Sequence, residues 1–303
     1  MPPTTRVPGK IHLAPKKRLG QHFLVDETVA RRIVDAATVT TQDTVVEIGP
    51  GKGVLTFLIA ALARRVVAVE FDRNLVAYLR EHARDHGNVA IVNEDVLRYD
   101  FRALARGAGS RLIVVANLPY NISTPVLFRL FDAREVFSHL VLMLQQEVAD
   151  RVVARPGTKD YGVLAVFAQL FTTPRMIMRV PPGAFYPRPK VTSALVRFDI
   201  LGGTRLPVRD MEAFRLVVRA GFGQRRKTLV NALHGGPCRE ASKERLKALL
   251  EGTGIDHRRR AETLDLAEFE RLAWTLRSSG ELSRGVSDGV EGTPVGTAAP
   301  QDV

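Results

Sequence analysis

Four consecutive residues, Asn117-Leu118-Pro119-Tyr120, carry the most specific chemical signal in the chain. A side-chain amide oxygen and the backbone carbonyl beside it offer two acceptors, enough to hold both hydrogens of an exocyclic amine. That clamp favours a tetrahedral nitrogen. An adenine N6, whose lone pair is delocalised into the ring, needs this alignment more than it needs a strong base, because its proton becomes acidic once the nitrogen is alkylated. Pro119 stiffens the turn. Tyr120 offers a face on which an extruded base can stack. An ordinary turn after a strand would account for Asn and Pro, but not for the aromatic. Phe185, in Phe185-Tyr186-Pro187-Arg188-Pro189, is a second aromatic candidate. It suits either the other wall of an adenine pocket or a core anchor for a Pro-rich loop.

A glycine run, Gly49-Pro50-Gly51-Lys52-Gly53, follows the apolar segment TVVEI at 44–48. Glycines at the carboxyl end of a first strand let a ligand approach the backbone. A dinucleotide and S-adenosylmethionine both suit that place. The dinucleotide pattern G-x-G-x-x-G, counted from Gly49 and Gly51, requires a small residue where Val54 stands, so it fails. The pattern here is E-x-G-x-G-x-G, with Glu47 before the glycines. S-adenosylmethionine carries an ammonium and a sulfonium, which favour carboxylates. Glu70 ends the second strand and can accept from two ribose hydroxyls. Asp95 follows the third and can accept from an adenine amino group. Each acid alone would be read as a solvated strand end or a helix cap. Three strand ends with an acid beside one glycine loop favour the cofactor.

These residues need a scaffold that brings strand ends together. Apolar runs at 44–48, 66–70, 89–92, 112–116 and 140–144 alternate with amphipathic stretches such as 54–63 and 74–83. Continuous β-branched runs separated by helices predict a parallel sheet covered on both faces. Segments 176–180 and 191–198 predict an edge hairpin around the Pro-rich 181–189. After Gly202-Gly203 the pattern becomes helical, at 211–220, 226–233, 242–250 and 266–277. Four segments follow: a disordered basic arm over 1–15, a catalytic domain over 16–203, a helical RNA-binding domain over 204–277 and a disordered tail over 278–303.

Charge points to the partner. The 303 residues hold 44 Lys and Arg against 32 Asp and Glu, a net charge of +12. Such an excess favours polyanions, because phosphate contacts release condensed counterions. The cations cluster in Arg6, Lys10, Lys16, Lys17 and Arg18, in Gln224-Arg225-Arg226-Lys227, and in His257-Arg258-Arg259-Arg260. Cys238 is the sole cysteine, which excludes an internal disulfide and a four-cysteine zinc site. Pro237-Cys238 matches the dipeptide of cytosine-C5 chemistry, but it falls in the helical segment, so a loop cysteine is expected. No apolar run reaches the ~18 residues of a membrane span, and no secretory leader is evident. The expected protein is cytoplasmic, with no membrane and no metal.

The motifs together resemble the small-subunit ribosomal RNA adenine N6,N6-dimethyltransferase family (KsgA/RsmA). The matching residues are Leu19-Gly20-Gln21-His22-Phe23-Leu24, 47–53, Asn117-Leu118-Pro119-Tyr120-Asn121-Ile122, 145–151, Pro187-Arg188-Pro189-Lys190-Val191, 224–229 and Arg260-Ala261-Glu262-Thr263-Leu264. The resemblance implies a Rossmann-like class I methyltransferase fold. Its features are a mostly parallel seven-stranded α/β sheet with helices on both faces and a small C-terminal α-helical domain. It implies dimethylation of two adjacent adenosines in the 3′-terminal hairpin loop of 16S ribosomal RNA, using four S-adenosylmethionines, by a monomer acting on a pre-30S particle. It carries cofactor contacts over to His22, Leu24, Gly49, Glu70, Asp95 and Asn117, with Gly51 from the same loop. His22 stands where the family often has Asn, and its ring can still donate. Arg225, Arg226 and Lys227 are the RNA-contact candidates. Three alternatives stay open at this point: a large-subunit adenine methyltransferase of the macrolide-resistance type, an assembly factor with secondary methylation and, least favoured, a dehydrogenase.

Overall fold

The computed structural model describes residues 15–16 and 19–282. Residues 1–14 of the arm predicted over 1–15, with Arg6 and Lys10, together with Lys17, Arg18 and the tail beyond 282, lie outside the described residues. The chain divides into two compact units, Met1–Pro207 and Val208–Val303.

The first unit runs β1 (Phe23–Leu24), α1 (Glu27–Ala37), β2 (Thr44–Ile48), α2 (Val54–Ala60), β3 (Arg65–Glu70), α3 (Arg73–His82), β4 (Val89–Asn93), α4 (Phe101–Ala108) and β5 (Leu112–Asn117). It continues with α5 (Ser123–Asp132), β6 (Phe137–Gln145), α6 (Gln146–Val153), α7 (Val163–Phe171), β7 (Thr172–Val180), β8 (Phe185–Tyr186) and β9 (Ser193–Ile200). Seven strands form one sheet in the order β4-β3-β2-β5-β6-β9-β7. The pairs among β4, β3, β2, β5 and β6 are parallel. β9 runs antiparallel between β6 and β7. The predicted edge hairpin is thus present, with its second arm inserted beside β6. β1 and β8 form a separate antiparallel ribbon, which periodicity could not indicate because each strand has two residues. β2 is buried along its whole length, as a strand covered on both faces must be.

This topology creates the site. The chain leaves β2 towards β3 and β4 on one side, then returns to build β5 on the other. Strand order therefore reverses at β2–β5, where the carboxyl ends splay and leave a crevice. Asp26, Asp72 and Asp100 cap α1, α3 and α4, each accepting from a first-turn backbone N–H.

The second unit contains α8 (Met211–Gly223), α9 (Leu229–His234), α10 (Lys243–Gly252) and α11 (Leu266–Ser278). Phe214 and Phe269 are fully buried between its helices. Asp265 and Glu268 form a capping box at the start of α11. The helix predicted over 226–233 begins later, at Leu229. Lys227 N closes a turn onto Gln224 O, so the basic run occupies the α8–α9 turn and not a helix face.

Two boundaries differ from the expected ones. The first unit extends past Gly203 to Pro207, because the Arg205 guanidinium binds the carbonyls of Gln169 and Thr172, each at 2.7 Å. The tail expected from 278 is ordered to at least 282. Ser278 closes α11, Leu282 is buried, and Glu281 meets Arg245 at 3.1 Å. Among the described residues no helix is long and apolar enough to cross a membrane.

Candidate active site

A cleft of about 240 Å³ lies over the carboxyl ends of β2, β3, β4 and β5. Its wall includes His22, Leu24, Gly49, Gly51, Glu70, Asp95, Asn117, Leu118, Pro119 and Tyr120. Every predicted cofactor and catalytic residue except Phe185 meets there. The glycine loop is shaped for close approach. Gly51 has φ +57°, and a Cβ on it would stand 3.0 Å from the Phe23 ring. Gly53 has φ +82°, and its Cβ would strike Phe57 at 2.5 Å. Only glycine satisfies both demands at these positions.

Four acids border the cleft, Glu47, Glu70, Glu94 and Asp95. Glu70 is buried, and its Oε1 accepts from Asp72 N at 2.8 Å. Burial raises its pKa, against hydrogen bonds from the backbone of Asp72 and Gly51. Asp95 is half-buried and accepts from Leu97 N at 3.0 Å. Glu47 is 1 % exposed, and its Oε2 has no hydrogen-bond partner. Burial pushes its pKa up to about 8, with the Glu70 charge adding to the rise. The Thr56 hydroxyl beside it opposes the shift, but Thr56 Oγ1 makes no well-formed hydrogen bond and relieves little.

This carboxyl has a measurable consequence. In the unfolded chain it titrates near 4.5, and in the folded one near 8. Between these values the folded protein keeps a proton that the unfolded chain has released. Stability due to that proton is present below about pH 4.5 and lost as pH rises through 8. Glu47→Gln removes the loss. The variant should equal the wild type near pH 4.5 and exceed it by a few kcal/mol at about pH 8.5. Denaturant midpoints at the two pH values check this. A difference that does not change with pH would contradict it.

The Asn117–Tyr120 loop is held from three sides. Asn117 Nδ2 donates to His22 O at 3.0 Å. A carbonyl accepts only, so this bond fixes the amide and leaves Oδ1 as the acceptor for a ligand. Leu118 N donates to Met143 O, extending the β5–β6 pairing into the loop. The Tyr120 hydroxyl bonds Ser193 Oγ at 2.7 Å, and its ring stacks on His22 with centroids 5.4 Å apart. Burial raises the Tyr120 pKa despite the Ser193 bond, so the phenol stays neutral. His22 Nδ1 donates in turn to Pro187 O at 2.7 Å.

Several expectations change. Phe185 does not line the cleft. It pairs across the ribbon with Leu24, is 2 % exposed and joins the core with Ile33 and Val180. Strand alternation sends Phe185 inward and Tyr186 outward. Lys16, grouped with the polyanion-binding cations, is held at 2.7 Å by Asp72, whose carboxylate also takes Gln21 Nε2 at 3.3 Å. Burial opposes ionisation of Asp72, but these bonds outweigh it and lower its pKa. Asp72 thus ties down Lys16 and Gln21, a role that sequence reading missed. Its signal was only that of a helix cap before α3. In the third basic run, Arg258 is engaged by Asp256 and Arg259 by Glu268. Arg225, Arg226 and Lys227 are exposed in their turn, with Glu262 at 3.4 Å from Arg225. Burial pushes the Cys238 thiol up to about 12, which leaves it unreactive near neutral pH.

The sheet order, the glycine turn after β2 and the acids at the carboxyl ends of β2, β3 and β4 define a class I S-adenosylmethionine-dependent methyltransferase. The family follows from comparison. The model of the ribosomal RNA adenine dimethylase family matches residues 13–272, and the chain belongs to that family. The ribosomal RNA small subunit methyltransferase A of Geobacter metallireducens is 48% identical over 266 residues, covering 88% of this chain and 96% of that protein. The protein of the same name from Geobacillus thermodenitrificans is 44% identical over 86% of this chain and 90% of its own. Among solved structures, a dimethyladenosine transferase from Plasmodium falciparum superposes with a TM-score of 0.73 at 25% identity, covering 86% of this chain and 99% of that one. The 23S rRNA methyltransferase ErmE superposes with a TM-score of 0.63, also at 25% identity, covering 84% and 99%.

The cleft fits the cofactor of this class. It offers the buried Glu47 carboxyl, whose Oε2 is unpaired, and further acceptors in Glu70 and Asp95.

Proposed function

We propose that this enzyme transfers methyl groups from S-adenosylmethionine to N6 of two adjacent adenosines in the 3′-terminal hairpin loop of 16S ribosomal RNA. It acts as a monomer on a pre-30S particle in the cytoplasm. The observation that carries this reading is the Asn117 amide, locked by His22 O with its Oδ1 left to accept, beside an acid-lined cleft.

S-adenosylmethionine, when bound, supplies an electrophilic methyl carbon. Glu70 holds the ribose hydroxyls and Asp95 the adenine amino group, while His22, Leu24, Gly49 and Gly51 line the remainder. Asn117 Oδ1 and the Leu118 carbonyl accept the two hydrogens of the target N6 and bring its lone pair out of the ring plane. Pro119 limits the loop's freedom. Tyr120 stacks on the target base, its plane set by His22 and its hydroxyl by Ser193. No residue need act as a strong base. In the helical unit, Arg225, Arg226 and Lys227 meet RNA phosphates.

Glu70→Ala should weaken S-adenosylhomocysteine binding by about 1.5–3 kcal/mol, as for loss of charge-assisted hydrogen bonds. Calorimetry measures it. An unchanged affinity would remove Glu70 from the cofactor site. The function itself is tested by methyl stoichiometry. Small subunits from cells lacking this activity should accept four methyl groups each. Transfer to large subunits instead would favour the macrolide-resistance type of activity.

A further inference from the structure

The β1–β8 ribbon sorts four side chains onto two faces. Leu24 and Phe185 lie opposite each other and sit in the core. Phe23 and Tyr186 lie opposite each other on the other face. Phe23 lines the cleft. Tyr186 stands outside the lining and is 62% exposed. Directly opposed residues of an antiparallel pair have Cβ atoms about 4.5–5.5 Å apart, so the Tyr186 ring starts one side chain beyond the cleft rim.

The segment that follows is charged and anchored. Arg188 and Lys190 are exposed, whereas Pro189 between them is buried. Pro187 O accepts from the His22 ring, and that ring stacks on Tyr120. The exposed tyrosine is therefore tied through one imidazole to the aromatic at the reaction end of the cleft. An exposed ring followed by alternating cations suits an unstacked base and its phosphates, the combination by which single strands are bound.

Resting on the RNA reading above, we propose that Tyr186, with Arg188 and Lys190, forms a subsite for the nucleotide adjoining the target adenosine. The ring stacks on that neighbouring base, and the two cations meet its flanking phosphates. The neighbour is thereby held outside the cleft while the target base occupies it. Tyr186 stands outside the cleft lining, so its removal is expected to leave cofactor affinity intact.

Two measurements test this. In the first, an RNA hairpin carrying 2-aminopurine beside the target adenosine is mixed with wild type, Tyr186→Phe, Tyr186→Leu and Tyr186→Ala proteins. Stacking quenches the probe, so quenching is expected with wild type and Tyr186→Phe and is lost with Tyr186→Leu and Tyr186→Ala. In the second, Tyr186→Ala should raise KM for undermethylated small subunits roughly tenfold, as for loss of one stacked base, with kcat within about twofold. S-adenosylhomocysteine calorimetry confirms that each variant is folded. Quenching retained in Tyr186→Ala, or absent in wild type, overturns the subsite. A fall in kcat with KM unchanged also overturns it and assigns Tyr186 to the target base. Raised KM for particles with unchanged quenching would assign Tyr186 to a ribosomal protein and overturn the proposal. Failure of the RNA reading looks different: the wild type would then bind cofactor and transfer no methyl group to the particles.

Discussion

Asn117→Ala is expected to lower single-turnover methyl transfer about a hundredfold or more while leaving affinity for the small-subunit particle nearly unchanged. The two quantities rest on different physics. Particle affinity is spread over many phosphate contacts, and one neutral amide contributes little to them. Turnover requires one nitrogen to be aligned with one methyl carbon, and a misplacement of about 1 Å can cost a hundredfold. Asn117 is placed for that task by a bond it does not share with substrate, from Nδ2 to His22 O. Alanine removes both the acceptor and the tie to His22. Asn117→Asp separates the two effects: it keeps an acceptor but repels the His22 carbonyl. Cofactor must be saturating, because Asn117 also lines the cofactor cleft. Tyr120→Ala is expected to slow transfer as well, and Tyr120→Phe less so, since it keeps the ring and loses only the Ser193 bond. An Asn117→Ala rate within a few-fold of wild type would remove this loop from catalysis. It would also revive the assembly-factor reading if ribosome maturation were rescued equally by both proteins.

Neutralising Arg225, Arg226 and Lys227 together is expected to weaken particle binding about a hundredfold near physiological salt. It should also reduce the slope of log affinity against log salt by about 2–3, which is the release of three phosphates' counterions. The three cations sit in the exposed α8–α9 turn, and Arg225 shares its charge with Glu262 at 3.4 Å, so Arg225 should contribute least. Cofactor affinity should not change. Titrations at several salt concentrations measure both numbers. A parallel shift with an unchanged slope would mean that these residues shape the turn and do not meet phosphate.

The sheet was legible in the sequence because its strands are buried on both faces and read as unbroken β-branched runs. β2 was read with its exact limits, Thr44–Ile48. The ribbon of β1 and β8 was not legible, since two residues carry no period. That loss explains the misreading of Phe185. Both Phe185 and Tyr186 are aromatic, and only the pairing with Leu24 and Phe23 decides which one faces the core. The acids Glu47, Glu70 and Asp95 were legible as a group because each lies within two residues of the carboxyl end of a strand. Asp72 was not, because its sequence context is that of a helix cap. Its bonds to Lys16 and Gln21 span more than fifty positions. Charge runs were the least reliable guide: Lys16 and Arg259 are engaged by Asp72 and Glu268, distant in sequence, and Arg258 by Asp256 just before the run.

The most direct test of the central claim is the position of the methyl groups. Undermethylated small subunits are incubated with the enzyme and labelled S-adenosylmethionine, and the 16S RNA is then sequenced for modified adenosines. N6,N6-dimethyladenosine is expected at two adjacent positions in the 3′-terminal hairpin loop, absent when the Asn117→Ala protein is used. Label confined to a single adenosine, placed elsewhere in the RNA, or carried on a cytosine would contradict it.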